Sequence, residues 1–559
     1  MRLSSSLAAD QLFSEPVSSP DALDSRSRAE RAYLRAEAIA RLYCLSVEDI
    51  QSLSPKFWEL HNDPILCADG AAATLLTIQY NLVVGTLAML RGGREDLKTL
   101  IDDLLSYRTI GQFCLTEVAH GLDAANLETT ATLLPDGSFD LHTPSEKAAK
   151  FMPPTIPVLG RPCIAIVYAQ IIIEGVRKGV RPFLVTLNNG HSMNLGISAR
   201  LLPPRHGSSP VNHSITYFHH VRLPGTALLG DLETYGSGRE QFLLSIWRVG
   251  IGVLALSSIL LPVIQLSAYV AGRYSFRRTV TDWQGSQVLI ITFPTQHIPV
   301  LTAISQAFVL KAFNEYAIKV FLDDGTDYRV RHGVVACFKA VMLRASHRSL
   351  LALSDRCGAQ GLFGHNRIAS LFDEMRGIGI AEGDVLVLSI RLVSELLLNR
   401  YSLPTPKDDT SLLGRYEIGI FDHLRSAIHT SNHRSSEFAS LVLPKCLNMA
   451  EAIGHRMAYE AALSQGVPAV LIQIFVHDAV KENLAWYIEQ GLFTSESFAR
   501  TGAALYNLAL PDLEGWIEDL QVGPYVQAPI VSDCSWAQFV RQLDYYTGDT
   551  MGERARSML

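Results

Sequence analysis

The sequence predicts an α+β multidomain chain in which a helical segment, a β segment and two further helical segments follow one another. Three observations carry that prediction. The block from Ala71 to Leu90 is apolar nearly all round, as a helix covered on most sides requires. Residues 111–230 break into short β-branched and apolar runs separated by turn signals at 135–138, 153–154 and 206–210, the pattern of an antiparallel, barrel-like sheet. Helical periodicity returns after Gly230, persists to about Asn399, and resumes over 411–520 beyond a polar, proline-containing break at 402–410. The expected domains are a flexible N-terminal arm (1–28), an N-terminal helical domain (29–110), a central β-domain (111–232), a helical bundle (233–401) and a second C-terminal helical domain (411–559).

Each element has a compositional reason. At 559 residues and 48% hydrophobic the chain exceeds what one core organises. The arm is rich in Ser, Asp and Pro and lacks an apolar period. The run Val249–Ile264 is shorter than the ~18–20 residues of a membrane span, is preceded by Arg248 and contains Pro262, so a buried helix is expected and no span. A net charge of -7 without a basic stripe argues against nucleic acid as a partner. The eight cysteines form no CxxC or zinc spacing, so no metal site is expected, and they read as free thiols of a reducing compartment.

The common catalytic signatures are absent: no Walker A loop, no GxSxG elbow, no HExxH helix. Gly250-Ile251-Gly252 lies inside an apolar helical run and reads as helix packing, and His219-His220 as a strand end. The acidic turn Ile380–Asp384 opens a helix, with Asp384 suited to the N-cap. Glu382 beside it is either a solvated helix start or a carboxylate at an apolar mouth, placed to act as a general base.

Two segments settle the direction of that choice. Leu115-Thr116-Glu117-Val118-Ala119-His120-Gly121 is followed by Leu127-Glu128-Thr129-Thr130-Ala131, and Ala381-Glu382-Gly383-Asp384-Val385 lies far downstream. These resemble the acyl-CoA oxidase family of the acyl-CoA dehydrogenase superfamily, with weaker matches in family order at Thr77–Leu82, Val167–Gln170, Pro182–Val185, His220–Pro224 and Arg273–Ser275. The resemblance is dense over 62–300 and 350–395. It implies a helical domain, a β-domain and two helical bundles, with FAD between β-domain and bundle, held in part by a neighbouring subunit of a homodimer. It also implies α,β-desaturation of an acyl thioester, with Glu382 as the catalytic base and O2 reoxidising the flavin to give hydrogen peroxide. Thr116, Gly121 and Phe151 would border the flavin, Arg277 or Arg278 would meet its pyrophosphate, and Gly358 and Gly361 would let the backbone approach it. Some superfamily members carry the base on the earlier bundle helix, but Gln241–Arg277 contains no Glu or Asp.

The departures are specific. Lys150-Phe151-Met152-Pro153-Pro154-Thr155 stands where the family has Lys-Trp-Trp-Pro-Gly-Gly, Gln360 replaces a histidine of the Gly-rich turn, and Pro203–Gly207 replaces Met-Gly-Tyr-Asn-Gly. They suggest a divergent paralogue with a branched, polyketide-derived or carrier-bound thioester, as in secondary metabolism, in place of a straight-chain acyl-CoA. The alternatives are a dehydrogenase serving a protein acceptor and a repurposed scaffold with altered oxidation chemistry. The tail Ser557-Met558-Leu559 resembles a peroxisomal Ser-Lys-Leu signal without its basic residue, leaving peroxisome or cytoplasm as the address.

Overall fold

The computed structural model describes residues 3–14, 24–205, 207–232, 238–428 and 435–546. Asp24 opens helix α1 (Ser25–Tyr43) by accepting the Ser27 N–H at 2.8 Å. Asp69 opens α2 (Gly70–Leu90) by accepting the N–H groups of Ala71 and Ala72. Within α2 the stretch Ile78–Val84 is π-helical, and its buried Gln79 donates to the Leu104 carbonyl and accepts from the Gly111 N–H, 2.7 and 2.9 Å away. That side chain joins the helical domain to the first strand.

The described part of the expected N-terminal arm is a packed segment instead. Phe13 is buried, Arg35 of α1 donates to the Leu12 carbonyl at 2.8 Å, and Ser4 donates to Asp63 at 2.6 Å. Gln527 holds the carbonyls of Ala8 and Phe13 from the other end of the chain. One large apolar side chain and satisfied carbonyls outweigh a polar composition.

Among the described residues nine strands form the β region: β1 (Ile110–Cys114), β2 (Thr130–Leu133), β3 (Phe139–His142), β4 (Lys150–Phe151), β5 (Cys163–Ile173), β6 (Val176–Asn188), β7 (Ile197–Leu201), β8 (Ser214–Phe218) and β9 (Val221–Leu223). The larger sheet runs β1-β5-β2-β3-β9 with β6 also on β5, and the smaller runs β4-β8-β7. Most ladders are antiparallel as expected, but β1 and β2 each run parallel to β5. β5 has 11 residues, so one of its edges takes β1 and β2 end to end while β6 covers the other.

The bundle is built on α3 (Trp247–Arg277), α4 (Pro294–Leu322) and α5 (Tyr328–Arg356), with α6 (Val385–Leu397) and α7 (Cys446–Ser464) packed beyond them. α3 has 31 residues, longer than the apolar run suggested. Its first turns extend inward because Arg248 is buried and donates to the carbonyls of Asn81 and Ile50 at 2.9 and 3.0 Å. α2 and α3 are both long and apolar enough to cross a membrane, yet 78% and 83% of their most apolar windows are buried inside the protein. They are core helices. The apolar face of α6 is spent on α7.

Candidate active site

The turn before α6 bears the carboxylate. Asp384 caps the helix, accepting the N–H groups of Leu386 and Val387 at 2.9 and 3.2 Å. Glu382 precedes it with φ 58°, a left-handed conformation that side chains normally avoid, and Gly383 follows at φ 110°. Lys339, buried in the apolar middle of α5, donates to the carbonyls on both sides of Glu382: Ala381 at 2.8 Å and Gly383 at 2.6 Å.

This backbone turns the Glu382 side chain onto α3. A methyl group at Gly252 would lie 2.8 Å from the Glu382 carboxyl carbon and 2.9 Å from Oε1, so the bare glycine is the notch that receives the carboxyl. Gly250 receives His332 of α5 in the same way, at 2.5 Å. The helix-packing reading of Gly250 and Gly252 is thus correct, and what packs at Gly252 is the candidate base. The residue as a whole is partly exposed, but burial of the carboxyl pushes its pKa up to about 8 against the opposing pull of Lys339. Lys339 is lowered by burial to about 8, with Glu382 and Asp384 acting against that shift.

Across the junction, the expected flavin-facing loops hang on one buried ion pair. Lys150 Nζ lies 2.9 Å from Glu117 and donates to the carbonyls of Tyr168 and Leu115. Glu117 also accepts the N–H groups of Glu128 and Thr129 at 2.8 and 3.0 Å. Burial raises the Glu117 pKa, but Lys150 and these donors outweigh it and leave the group below its ordinary value. The pair sets the ends of β1 and β4 side by side, so that the Phe151 N–H donates to the Thr116 carbonyl at 3.0 Å. Replacing Lys150 by Met would strand a buried carboxylate; thermal unfolding should show a loss of about 3–5 kcal/mol.

Contacts then run from this loop through residues 205–213 to residues 373–377 of the bundle. His213 meets the Met152 carbonyl at 2.8 Å. Gly207, at φ 69°, abuts Asp373, and a methyl group at Gly377 would lie 2.8 Å from Arg205. The 205–213 segment therefore touches both the 150–155 loop and residues 373–377 ahead of the Glu382 turn. Gly121 is exposed, with nothing where a side chain would project.

The arginines lie elsewhere. Arg277 and Gly252 are 25 residues apart on α3, roughly 38 Å along a helix axis. Arg277 is engaged, donating to Asp533 at 2.5 Å and to the Ile530 carbonyl at 3.1 Å. Arg278 is exposed and has no ion-pair partner among the described residues. Gln296 bonds Ser275 and the Arg356 carbonyl at 2.8 and 3.0 Å, which brings the Gly-rich turn to this same end of the bundle. There Gly358, at φ 59°, faces open space, while Gly361 is buried against the Ser354 carbonyl. At Gly361 any side chain would strike the end of α5, so the turn requires glycine there.

Lys339 and Gly252 were not among the expected site residues. The available signals were a lone lysine inside Val334–Leu343 and the glycine pair itself. His219-His220 stands in the exposed turn between β8 and β9, His220 pairing with Asp140, and no group of three metal-ligating side chains occurs among the described residues. Ser557-Met558-Leu559 lies outside them.

Comparison with known proteins agrees with the fold. The family pattern described as acyl-CoA oxidase, C-alpha1 domain, matches residues 255–397. Peroxisomal acyl-coenzyme A oxidase 3 of Homo sapiens is 25% identical over 417 residues, covering 69% of this chain and 58% of that protein. Acyl-coenzyme A oxidase acox-3 of Caenorhabditis elegans is 23% identical over 402 residues, covering 64% and 60%. The chain thus spans about three fifths of the length of these relatives. Among solved structures, acyl-CoA oxidase1 from Yarrowia lipolytica superimposes with a TM-score of 0.84 at 16% identity, covering 100% of this chain and 91% of that one. Acyl-CoA oxidase-1 of Caenorhabditis elegans complexed with FAD and ATP gives 0.77 at 15% identity, covering 100% and 92%. The Glu382 turn falls inside the matched domain, and the chain shares the acyl-CoA oxidase fold and is similar in sequence to that family over residues 255–397.

Proposed function

We propose that the protein is an FAD-dependent oxidase that desaturates an acyl thioester at Cα–Cβ, passing electrons to O2 and releasing hydrogen peroxide. The observation that carries this reading is the Glu382 carboxyl seated in the Gly252 notch with a pKa raised to about 8. A desolvated carboxylate there is a strong base for the weakly acidic proton beside a thioester carbonyl. Bound FAD would supply the acceptor for the hydride leaving Cβ. Thr116 and Phe151 would line its reactive side, and the open faces of Arg278 and Gly358 suit a pyrophosphate. Because Arg278 and Glu382 sit at opposite ends of α3, the arrangement supports a homodimer in which each arginine serves its partner's flavin.

The relatives' names favour O2 over a protein acceptor and the peroxisome over the cytoplasm. The altered 150–155 loop favours a specialised thioester, and one neighbour of this fold, Caenorhabditis elegans acyl-CoA oxidase-2, is described with FAD and ascaroside-CoA bound. The test is anaerobic bleaching of the FAD-loaded protein by a panel of straight-chain, branched and carrier-bound thioesters, followed by peroxide measurement in air. Bleaching with stoichiometric peroxide is expected, and no bleaching by any thioester would refute the reading. Arg278→Ala should release FAD on dilution, whereas Arg277→Ala should retain it.

A further inference from the structure

Glu382 adopts a left-handed backbone conformation with only Gly383 beside it to relax the turn, so something outside the turn must hold it. α6 does not, because Asp384 is committed to the helix N-terminus. α3 offers a glycine and no charge. On α5, Lys339 is the single charged side chain in the apolar run Val334–Leu343, and it is 1% exposed. A buried ammonium needs acceptors, and two of its three N–H bonds go to the carbonyls that flank Glu382. No direct ion pair joins the two side chains. The other titratable group nearby, His332, sits two turns away on α5 among the rings of Trp247, Phe321 and Tyr328 and is kept neutral by burial.

Resting on the reading of Glu382 as base, we infer that Lys339 is its positioning residue: it grips the peptide carbonyls on either side, aims the carboxyl into the Gly252 notch and holds a positive charge beside it. The role has two separable parts. The grip sets geometry, and so the rate at every pH. The charge favours the ionised carboxylate, and so sets the pH at which the base becomes active. Lysine suits this because its compact ammonium can bond two carbonyls at once, whereas a planar guanidinium directs its donors in a fixed fork.

The experiment is the pH dependence of anaerobic bleaching of the full-length, FAD-loaded protein at saturating thioester, for wild type, Lys339→Met and Lys339→Arg. Lys339→Met should be at least tenfold slower near neutral pH, with its rising limb displaced upward by about one pH unit. Lys339→Arg should keep the wild-type limb but bleach more slowly throughout. Should Lys339→Met fail to fold, Lys339→Gln, which retains a donor without charge, is read on the same two axes. An unmoved limb in the uncharged variants, whether rates are normal or uniformly reduced, overturns the inference, since a merely structural lysine would behave so. Glu382→Gln run in parallel separates the two failures. If it bleaches like wild type the base assignment itself is wrong; if it is inert while the lysine variants keep the wild-type limb, only the inference about Lys339 falls.

Discussion

Glu382→Gln is expected to lower the rate of flavin reduction by an acyl thioester by about 10²–10⁴-fold while the protein keeps its fold and cofactor. The amide matches the carboxylate in shape, so the Gly252 notch remains filled, and Lys339 still has its two carbonyls. What is lost is the ability to accept a proton. No second carboxylate stands ready on α3, which contains no Asp or Glu. The wild-type rate should also depend on pH in one direction. With the Glu382 pKa raised to about 8 by burial, about a tenth of the free protein carries the active base at pH 7. Single-turnover bleaching should therefore climb severalfold between pH 7 and 9. Glu382 and Lys339 are each displaced to about 8, so the curve reports the pair and not one residue. A flat profile over that range would contradict the buried-base assignment. The stability consequence has the opposite sense. A carboxyl whose folded-state value is raised favours folding while protonated, and that contribution is lost as pH rises from about 4.5 toward 8.

The second large effect is expected at a residue that carries no functional group. Gly252→Ala places a methyl group 2.8 Å from the Glu382 carboxyl carbon, closer than the two can coexist. α3 is held at both sides by buried packing, so the movable partner is the glutamate, and its carboxyl must leave the notch. A displacement of about 1 Å of a reacting group costs on the order of 10²-fold in rate. The helix itself should gain slightly, since alanine exceeds glycine in helix propensity by about 1 kcal/mol. The expected signature is a variant that melts no lower than wild type, remains yellow and bleaches about a hundredfold more slowly. A Gly252→Ala protein with wild-type bleaching would show that the carboxyl acts from some other position.

The order helical, β, helical, helical was legible because it rests on periodicity and turn chemistry, which are local. So were the candidate base and its N-cap neighbour, since Asp384 does at the start of α6 what its position suggests. Local pattern could not see that β5 seats two strands end to end on one edge, both running parallel to it. Nor could it see that Phe13 and Ser4 anchor a segment whose composition reads as an arm.

What the sequence by itself determined is which residues are candidates for chemistry: one acidic turn, one Thr-Glu strand end, two adjacent arginines. What distinguishes those arginines belonged to tertiary structure, because Asp533 and the Ile530 carbonyl, some 250 residues away in the chain, engage Arg277 and leave Arg278 exposed. The fates of the glycines were decided in the same way, with Gly358 open and Gly361 closed against Ser354. The environment of Glu382 was decided there too. Its proton affinity is raised by desolvation and lowered by one ammonium reaching across from α5, and both effects are sums over atoms brought close only by folding.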